Sequence, residues 1–319
     1  MLRESEEYVS GQKLCERFQV SRTAVWKVIK QLEKEGYQIE AVRNRGYRIL
    51  EYPDVLSKEE IESQMQTDCF GKHVVYYEET DSTNTRVKQL AEQGAQQGTL
   101  VVADRQSAGK GRRGRGWESP KGENIYMSLL LRPKIEPSKA PMLTLVMAYS
   151  VALAIREQEE LEVGIKWPND LVVGTKKICG ILTEMNAEID YINYVVIGVG
   201  INVNVKKFPE ELSEKATSLF NEQGKEVRRA VLMAKIMQLF EENYERFLKE
   251  QNLAFLQEAY NQLLVSRGRE VTVLEPGHEY HAHAIGINET GELLVRKEDG
   301  KEEAVFAGEV SVRGIYGYV

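Results

Sequence analysis

Residues 104–117 read DRQSAGKGRRGRGW, and no packed core can be built from them. Glycines at 109, 111, 114 and 116 are interspersed with Lys110, Arg112, Arg113 and Arg115, so the stretch belongs at the surface with many donors and few acceptors. Backbone N–H groups without flanking side chains, and guanidinium forks, pair with phosphate and carboxylate oxygens. The segment reads as a loop that receives an anion and orders when the anion arrives. Residues 109–114 also spell G-x-G-x-x-G, the pattern of a dinucleotide-binding turn. Such a turn runs into a helix N-terminus that holds the pyrophosphate, whereas here Pro120 and Gly122 lead into an apolar strand at 125–131. The dinucleotide reading is therefore rejected. A solvated loop or a non-specific nucleic-acid patch stays open at this point.

The loop is positive in a negative chain. A net charge of -7 over 319 residues confines any nucleic-acid contact to a local face. Cys15, Cys69 and Cys179 lie far apart with no C-x-x-C spacing, which suits neither a disulfide frame nor a zinc site and points to a reducing cytoplasm. The start, MLRESEEYVS, lacks the basic and apolar regions of an export signal. The longest apolar run, about 141–155, is interrupted by Thr144, Tyr149 and Ser150 and is shorter than the roughly 20 residues that cross a bilayer. It is expected to be a buried helix, with no membrane partner.

From Ser10 onward, Leu14, Phe18, Val25, Val28, Ile29 and Leu32 recur at helical spacing around a break at 19–21, which predicts helix, turn, helix. Ser21 is placed to cap the second helix, whose first turns carry Arg22, Thr23 and Lys27. Residues 38–52 alternate apolar and polar around a turn at 44–46, with Arg43, Arg45 and Arg48 near its tip: a basic wing. Residues 1–50 hold ten Lys and Arg against seven Glu, the local excess that a phosphate footprint requires. Ser21, Arg22, Thr23, Lys27, Arg43 and Arg45 are the candidate DNA contacts. Only about ten residues precede the first helix, where such heads usually carry another helix. The alternative is a helical packing module with solvated charges.

A polar stretch after Pro53, with Ser57 as a helix cap, marks a boundary. Strands at 73–77 and 98–103 enclose a helix from Thr85 to about Gln93, and after the buried helix come further strands, mostly apolar on both faces. Amphipathic helices are expected at about 228–250 and 253–265, then four short antiparallel strands to the end. His278, His281 and His283 cluster there without a cysteine or carboxylate at ligand spacing, so no metal ligand is assigned.

Lys166, Trp167 and Asp170 share the turn KWPND, and Lys177 follows on the next strand. Each lysine alone reads as a surface charge. Taken with the loop, they supply the cations that let a substrate carboxylate approach the α-phosphate of ATP, and Asp170 could help hold Mg2+. The glycines of IGVGINVN either admit a ligand or mark a bulge.

DSTN at 81–84, GKGRRGRGW at 109–117, KWPND at 166–170, KKICGIL at 176–182 and GVGINVN at 198–204 occur in one order. In that order they resemble the biotin–protein ligases, and with the head the chain is similar to the bifunctional kind that also represses biotin synthesis. The resemblance spans nearly the whole chain. It implies an α+β protein with a winged helix-turn-helix head (1–53), a central class II synthetase-like α/β catalytic domain with a mixed sheet (54–265) and an SH3-like C-terminal β-barrel (266–319). It also implies a biotin pocket of Ser82, Thr83, Asn84, Gln106, Lys110, Gly111, Arg112 and Lys177, and an adenylate side of Arg113, Trp117, Asp170 and Asn202. Lys177, Arg112 and Asp170 would act in catalysis, with ATP and Mg2+ as cofactors. The implied partners are a biotin carboxyl carrier protein, operator DNA, and a second copy of the chain when biotinoyl-AMP is bound. Two departures from the family stand out: Lys110 where arginine is usual, and a leading segment without the full first helix. A ligase with a vestigial head is the alternative, and a lipoate ligase would lack the GKGRRG loop.

Overall fold

Two serines start the two helices of the head. Ser10 accepts from the Lys13 N–H at the start of α1 (Gly11–Phe18), and Ser21 accepts from Ala24 N–H at the start of α2 (Arg22–Lys34). Strands β1 (Gln38–Val42) and β2 (Gly46–Glu51) form the antiparallel wing. In this computed structural model the described residues are 1, 2, 5, 7–275, 278–306 and 311–314. They divide into two units, 1–55 and 56–319.

The head core is Val9, Leu14, Val25 and Ile29, with Tyr47 and Ile39 packed against it. Three residues of the helical pattern are outside it: Phe18 and Val28 are 59% and 56% exposed, and Leu32 is half-buried. Phe18 ends α1, where Gln19 turns left-handed at φ 52° and the chain leaves before anything covers the ring. Val28 sits one position before buried Ile29, about 100° round the helix from it. Among the described residues no helix precedes α1; instead Val9 exchanges backbone hydrogen bonds with Tyr47 of the wing. Gly46 permits this, because a Cβ there would stand 2.0 Å from the Val9 carbonyl oxygen.

Residues 56–319 begin with α3 (Lys58–Gln64), β3 (His73–Thr80), α4 (Thr83–Glu92), β4 (Thr99–Gln106) and β5 (Ile125–Leu131). They continue with α5 (Met142–Glu159), β6 (Val163–Lys166), β7 (Asp170–Val173), β8 (Lys176–Ala187) and β9 (Ile192–Ile201). The sheet order is β3-β4-β5-β9-β8-β7-β6; β3 and β4 run parallel and the remaining pairs antiparallel, so the sheet is mixed. Short α6 (Glu210–Ser213) and α7 (Leu219–Gln223) precede α8 (Arg229–Glu250) and α9 (Gln257–Leu263). Helices α5 and α8 cover one face in a large core, and α4 covers part of the other through Val87 and Ala91. By length and composition α5 with its leading turn resembles a membrane span, but 67% of its apolar window is buried within the fold. The expected helix at 253–265 is confined to α9, because Leu253 N–H donates to the Glu289 carbonyl and draws the chain away from a helical path.

The C-terminal strands β10 (Glu270–Glu275), β11 (His278–Ile287), β12 (Leu293–Lys297), β13 (Glu302–Val305) and β14 (Ser311–Gly314) form an antiparallel sheet ordered β13-β12-β11-β10-β14. The expectation of four strands omits β14, which pairs with β10. The expected turn at Pro276–Gly277 lies outside the described residues. Val271, Val273, Leu293 and Val295 join the large core, and Trp167 Nε1 donates to the Gly291 carbonyl at 3.0 Å. His281 and His283 contact Thr272 and Glu270, and the His278 side chain is outside the described set. Among the described residues no group of three His, Cys, Asp or Glu is placed to hold a metal.

Candidate active site

Alternation along β9 puts Ile197, Val199 and Ile201 into the core and leaves Gly198 and Gly200 facing α4. Gly200 is paired with Gly180 on β8, and Gly198 lies between Ser128 on β5 and Leu182 on β8. The sheet is bare where other groups must lie against it. A Cβ on Gly198 would stand 2.1 Å from Asn84 Oδ1, and one on Gly200 2.7 Å from the Trp117 ring. The strand carries no bulge at these glycines; close approach is their reason.

Helix α4 starts at Thr83, earlier than expected, so Thr83 and Asn84 form its first turn and are buried with Ser82 against the sheet. The loop after β4 is tied to the same corner: Ser107 N–H donates to Thr80 O and Ala108 N–H to Asp81 O. It then folds on itself, with Gly111 N–H to Arg115 O, Trp117 N–H to Gly109 O, and Arg113 in a left-handed turn at φ 57°. This returns Trp117 onto the glycines of β8 and β9. Its Nε1 is buried without a hydrogen-bond partner among the described residues.

Plain alternation would send Lys177 to the same side as buried Cys179. Between β7 and β8 the register slips, with Leu171 opposite Cys179 but Val172 opposite Lys177, and this bulge turns Lys177 toward Gly180. Its backbone is held by Lys215 O and Thr217 N–H. Its ammonium lies 2.7 Å from Asp170 Oδ1 and 5.2 Å from the Trp117 ring centroid. Arg112 donates to Asn169 Oδ1 at 2.8 Å. Burial lowers its pKa from the ordinary guanidinium value, with the Asp170 charge acting the other way.

Cavities meet at these side chains, and two of them hold the expected site residues. The smaller, about 50 Å3, is lined by all eight residues expected for a biotin pocket, namely Ser82, Thr83, Asn84, Gln106, Lys110, Gly111, Arg112 and Lys177, and by Trp117. The larger, about 720 Å3, is lined by Arg113, Trp117, Asp170 and Asn202, and shares Arg112 and Lys177 with the first. Cations at 112, 113, 115, 177, 207 and 215 there outnumber acids at 118, 123, 170 and 211, against the negative charge of the whole chain. Asn202 has a second occupation: its side-chain amide donates to Thr217 O and its backbone carbonyl accepts Leu219 N–H, fixing the segment that holds Lys177. Lys166 and Trp167 are buried and line neither cavity.

Residues that sequence reasoning missed include Asn169, which orients Arg112 and Asp170 together, and Ser128, which bonds Thr83 and Asn84. It also missed the buried pair Arg229–Asp104 at 2.9 Å, which supports Asn124 at the cleft wall. Their one signal was polarity in apolar surroundings, as with the serine inside IYMSLLL.

In the head, Ser21 is occupied as a cap and Arg22 bonds Gln12, while Thr23, Lys27, Arg43 and Arg45 are exposed. The Arg45 guanidinium lies over the Tyr8 ring at 4.5 Å.

The pattern of the Biotin/lipoate A/B protein ligase family matches residues 76–202, that of an HTH domain residues 1–48, and that of the Biotin protein ligase C terminal domain residues 267–313. The chain is 41% identical over 298 residues to the bifunctional ligase/repressor BirA of Bacillus subtilis (strain 168), covering 92% of this chain and 91% of that one. It is 30% identical to the Escherichia coli (strain K12) protein of the same name, covering 96% and 94%. Among solved structures, the biotin protein ligase from Aquifex aeolicus in complex with biotin and ATP superposes with a TM-score of 0.67 at 32% identity, covering 76% of this chain and 99% of that one. Head, glycine-bare sheet and cationic junction thus coincide with relatives matched almost end to end, and the chain belongs to the BirA family of bifunctional ligase/repressors.

Proposed function

We propose that the chain is an ATP-dependent biotin–protein ligase that also represses transcription of biotin synthesis genes. One observation carries the enzymatic half: a small pocket with polar side chains at one end and a wide cationic cleft share Lys177 and Arg112 at their junction. A carboxylate reaching out of the first meets a phosphate held in the second at that point. The biotin carboxylate oxygen attacks the α-phosphorus of Mg-ATP, the bond to the β-phosphate oxygen breaks, and diphosphate leaves. An acceptor lysine amine of a carrier domain then attacks the acyl carbon, forms an amide and releases AMP and a proton. Lys177 and Arg112 offset the repulsion between the two anions and stabilise the negative charge that builds at phosphorus.

Mg2+ would be carried by the nucleotide phosphates and would supply charge screening there. Asp170 lines the cleft and is paired with Lys177, so its assignment here is to hold that lysine. Ser82, Thr83, Asn84 and Gln106 take the ring end of biotin, Lys110 and Gly111 its flank, and Arg113, Trp117 and Asn202 the adenylate.

For the head, exposed Thr23 and Lys27 on α2 and the basic wing support operator binding. Biotinoyl-adenylate favours a homodimer, and the dimer binds two half-sites. The decisive assay incubates the protein with biotin, ATP and a biotin carboxyl carrier domain and looks for biotinylated acceptor, with lipoate in parallel. Acceptor labelled by lipoate, or by neither, overturns the reading. A gel shift with DNA from upstream of biotin synthesis genes separates a repressor from a ligase with a vestigial head.

A further inference from the structure

A hydrogen-bond chain runs behind the small pocket, and its polarity is set at one end. Glu184 on β8 lies beside α4 and contacts two of its residues one turn apart, Lys88 and Asn84. Asn84 Nδ2 lies 2.7 Å from Glu184 Oε2 and 3.4 Å from the Leu182 carbonyl oxygen. A carboxylate and a carbonyl only accept, so the amide NH2 must face them and Asn84 Oδ1 must face the other way. There it meets Ser128 Oγ at 2.6 Å, and the single Ser128 proton is committed to it. Thr83 Oγ1 is 2.7 Å from Ser128 Oγ and 3.1 Å from Gln106 Oε1, so its own proton is also committed, to one of these two oxygens. Thr83 is left with lone pairs to offer. Its neighbour Ser82 is buried with its hydroxyl unpartnered among the described residues, and is free to donate.

We propose that Glu184 is a positioning residue that fixes the donor and acceptor pattern of this pocket by holding the Asn84 amide in one orientation, and through it the protons of Ser128 and Thr83. The proposal rests on the biotin reading above and deepens it. Glu184 lines neither cavity at the junction and acts through Asn84. Burial raises its pKa, but hydrogen bonds from Lys88 and Asn84 and the charges of Lys88 and Lys110 outweigh this and hold it below the ordinary carboxylate value. The acceptor-only form is therefore the one present at neutral pH. A neutral amide in its place could donate as well as accept, the Asn84 amide would turn over, and the code would be lost.

The test measures adenylate formation by pyrophosphate release for wild type, Glu184→Gln, Ser128→Ala and the double variant, varying biotin and ATP separately. Glu184→Gln is expected to raise the biotin KM about tenfold, the scale of one misdirected hydrogen bond. The ATP KM and kcat should stay within about twofold of wild type. Ser128→Ala should raise the biotin KM as well, and the double variant should be no worse than the weaker-binding single, since both act through one amide. An unchanged biotin KM in Glu184→Gln overturns the proposal, as does an equal rise in the ATP KM or an additive double variant. Glu184→Gln decides alone if Ser128→Ala fails to give a cooperative melt. A wild-type protein that forms no adenylate removes the biotin reading itself.

Discussion

Lys177 concentrates the chemistry at the residue scale. Its ammonium is paired with a carboxylate that is itself mostly buried, so Lys177→Ala removes charge stabilisation at phosphorus and leaves Asp170 without that partner. Adenylate formation should fall about 100- to 1,000-fold, the range for removing a preorganised group at a developing charge. Pyrophosphate release at the wild-type rate would take Lys177 out of the mechanism. Gly198 makes the opposite kind of demand. Gly198→Ala places a methyl group where Asn84 Oδ1 now lies, and the overpacking should cost about 1–3 kcal/mol together with most biotin binding. A melt and a biotin titration of the variant would show both. Cys179 stands two residues from Lys177, yet burial pushes its thiol far above the ordinary value. Native protein should leave it unlabelled by iodoacetamide while unfolded protein labels fully.

Among the elements, strand β8 shows where sequence reading ran out. The composition of KKICGIL marks Lys177 as chemical, but period-two alternation assigns it to the buried side with Cys179, and a one-residue bulge against β7 reverses that. Bulges depend on the partner strand, so no local pattern announces them. The glycine-arginine loop, by contrast, was legible as a surface loop from composition alone, and the glycines of β9 as a place of close approach. Phe18 and Val28 fit the helical period but not the core, because period gives a face and not what covers it. Ser128 looked like an interruption in an apolar strand and is the relay of the pocket. The α4–β8 contact also carries a pH expectation. With its folded pKa depressed, Glu184 contributes stability that is fully present above the ordinary carboxylate value of 4.5 and is lost as pH falls through the folded value below it. The biotin KM should therefore show no inflection from this group between about pH 8 and 5, and should rise only in more acid solution. An inflection near pH 6 that vanishes in Glu184→Gln would contradict the assignment.

On the scale of the molecule, the chain joins a DNA-binding unit to a synthetase unit. Coupling between them is a free energy that acts in both directions. Biotinoyl-adenylate should raise dimer and DNA affinity together, and operator DNA should tighten adenylate binding by the same factor; sedimentation with and without ligand and DNA would measure both sides of that cycle. The order of five motifs made the architecture legible, whereas the fifth C-terminal strand and the Val9–Tyr47 bridge come from pairings between distant residues that no single stretch encodes. The chain's three tryptophans occupy three different settings: Trp26 is exposed on α2, Trp167 is buried under the C-terminal sheet, and Trp117 stands between the two cavities with its ring N–H unpartnered among the described residues. The emission of an indole shifts with nearby charge and with hydrogen bonding to its N–H, so each reports a different part of the protein. A variant retaining Trp117 alone is a built-in optical gauge of the junction, able to time the arrival of biotin, the arrival of nucleotide and the departure of AMP as separate signals.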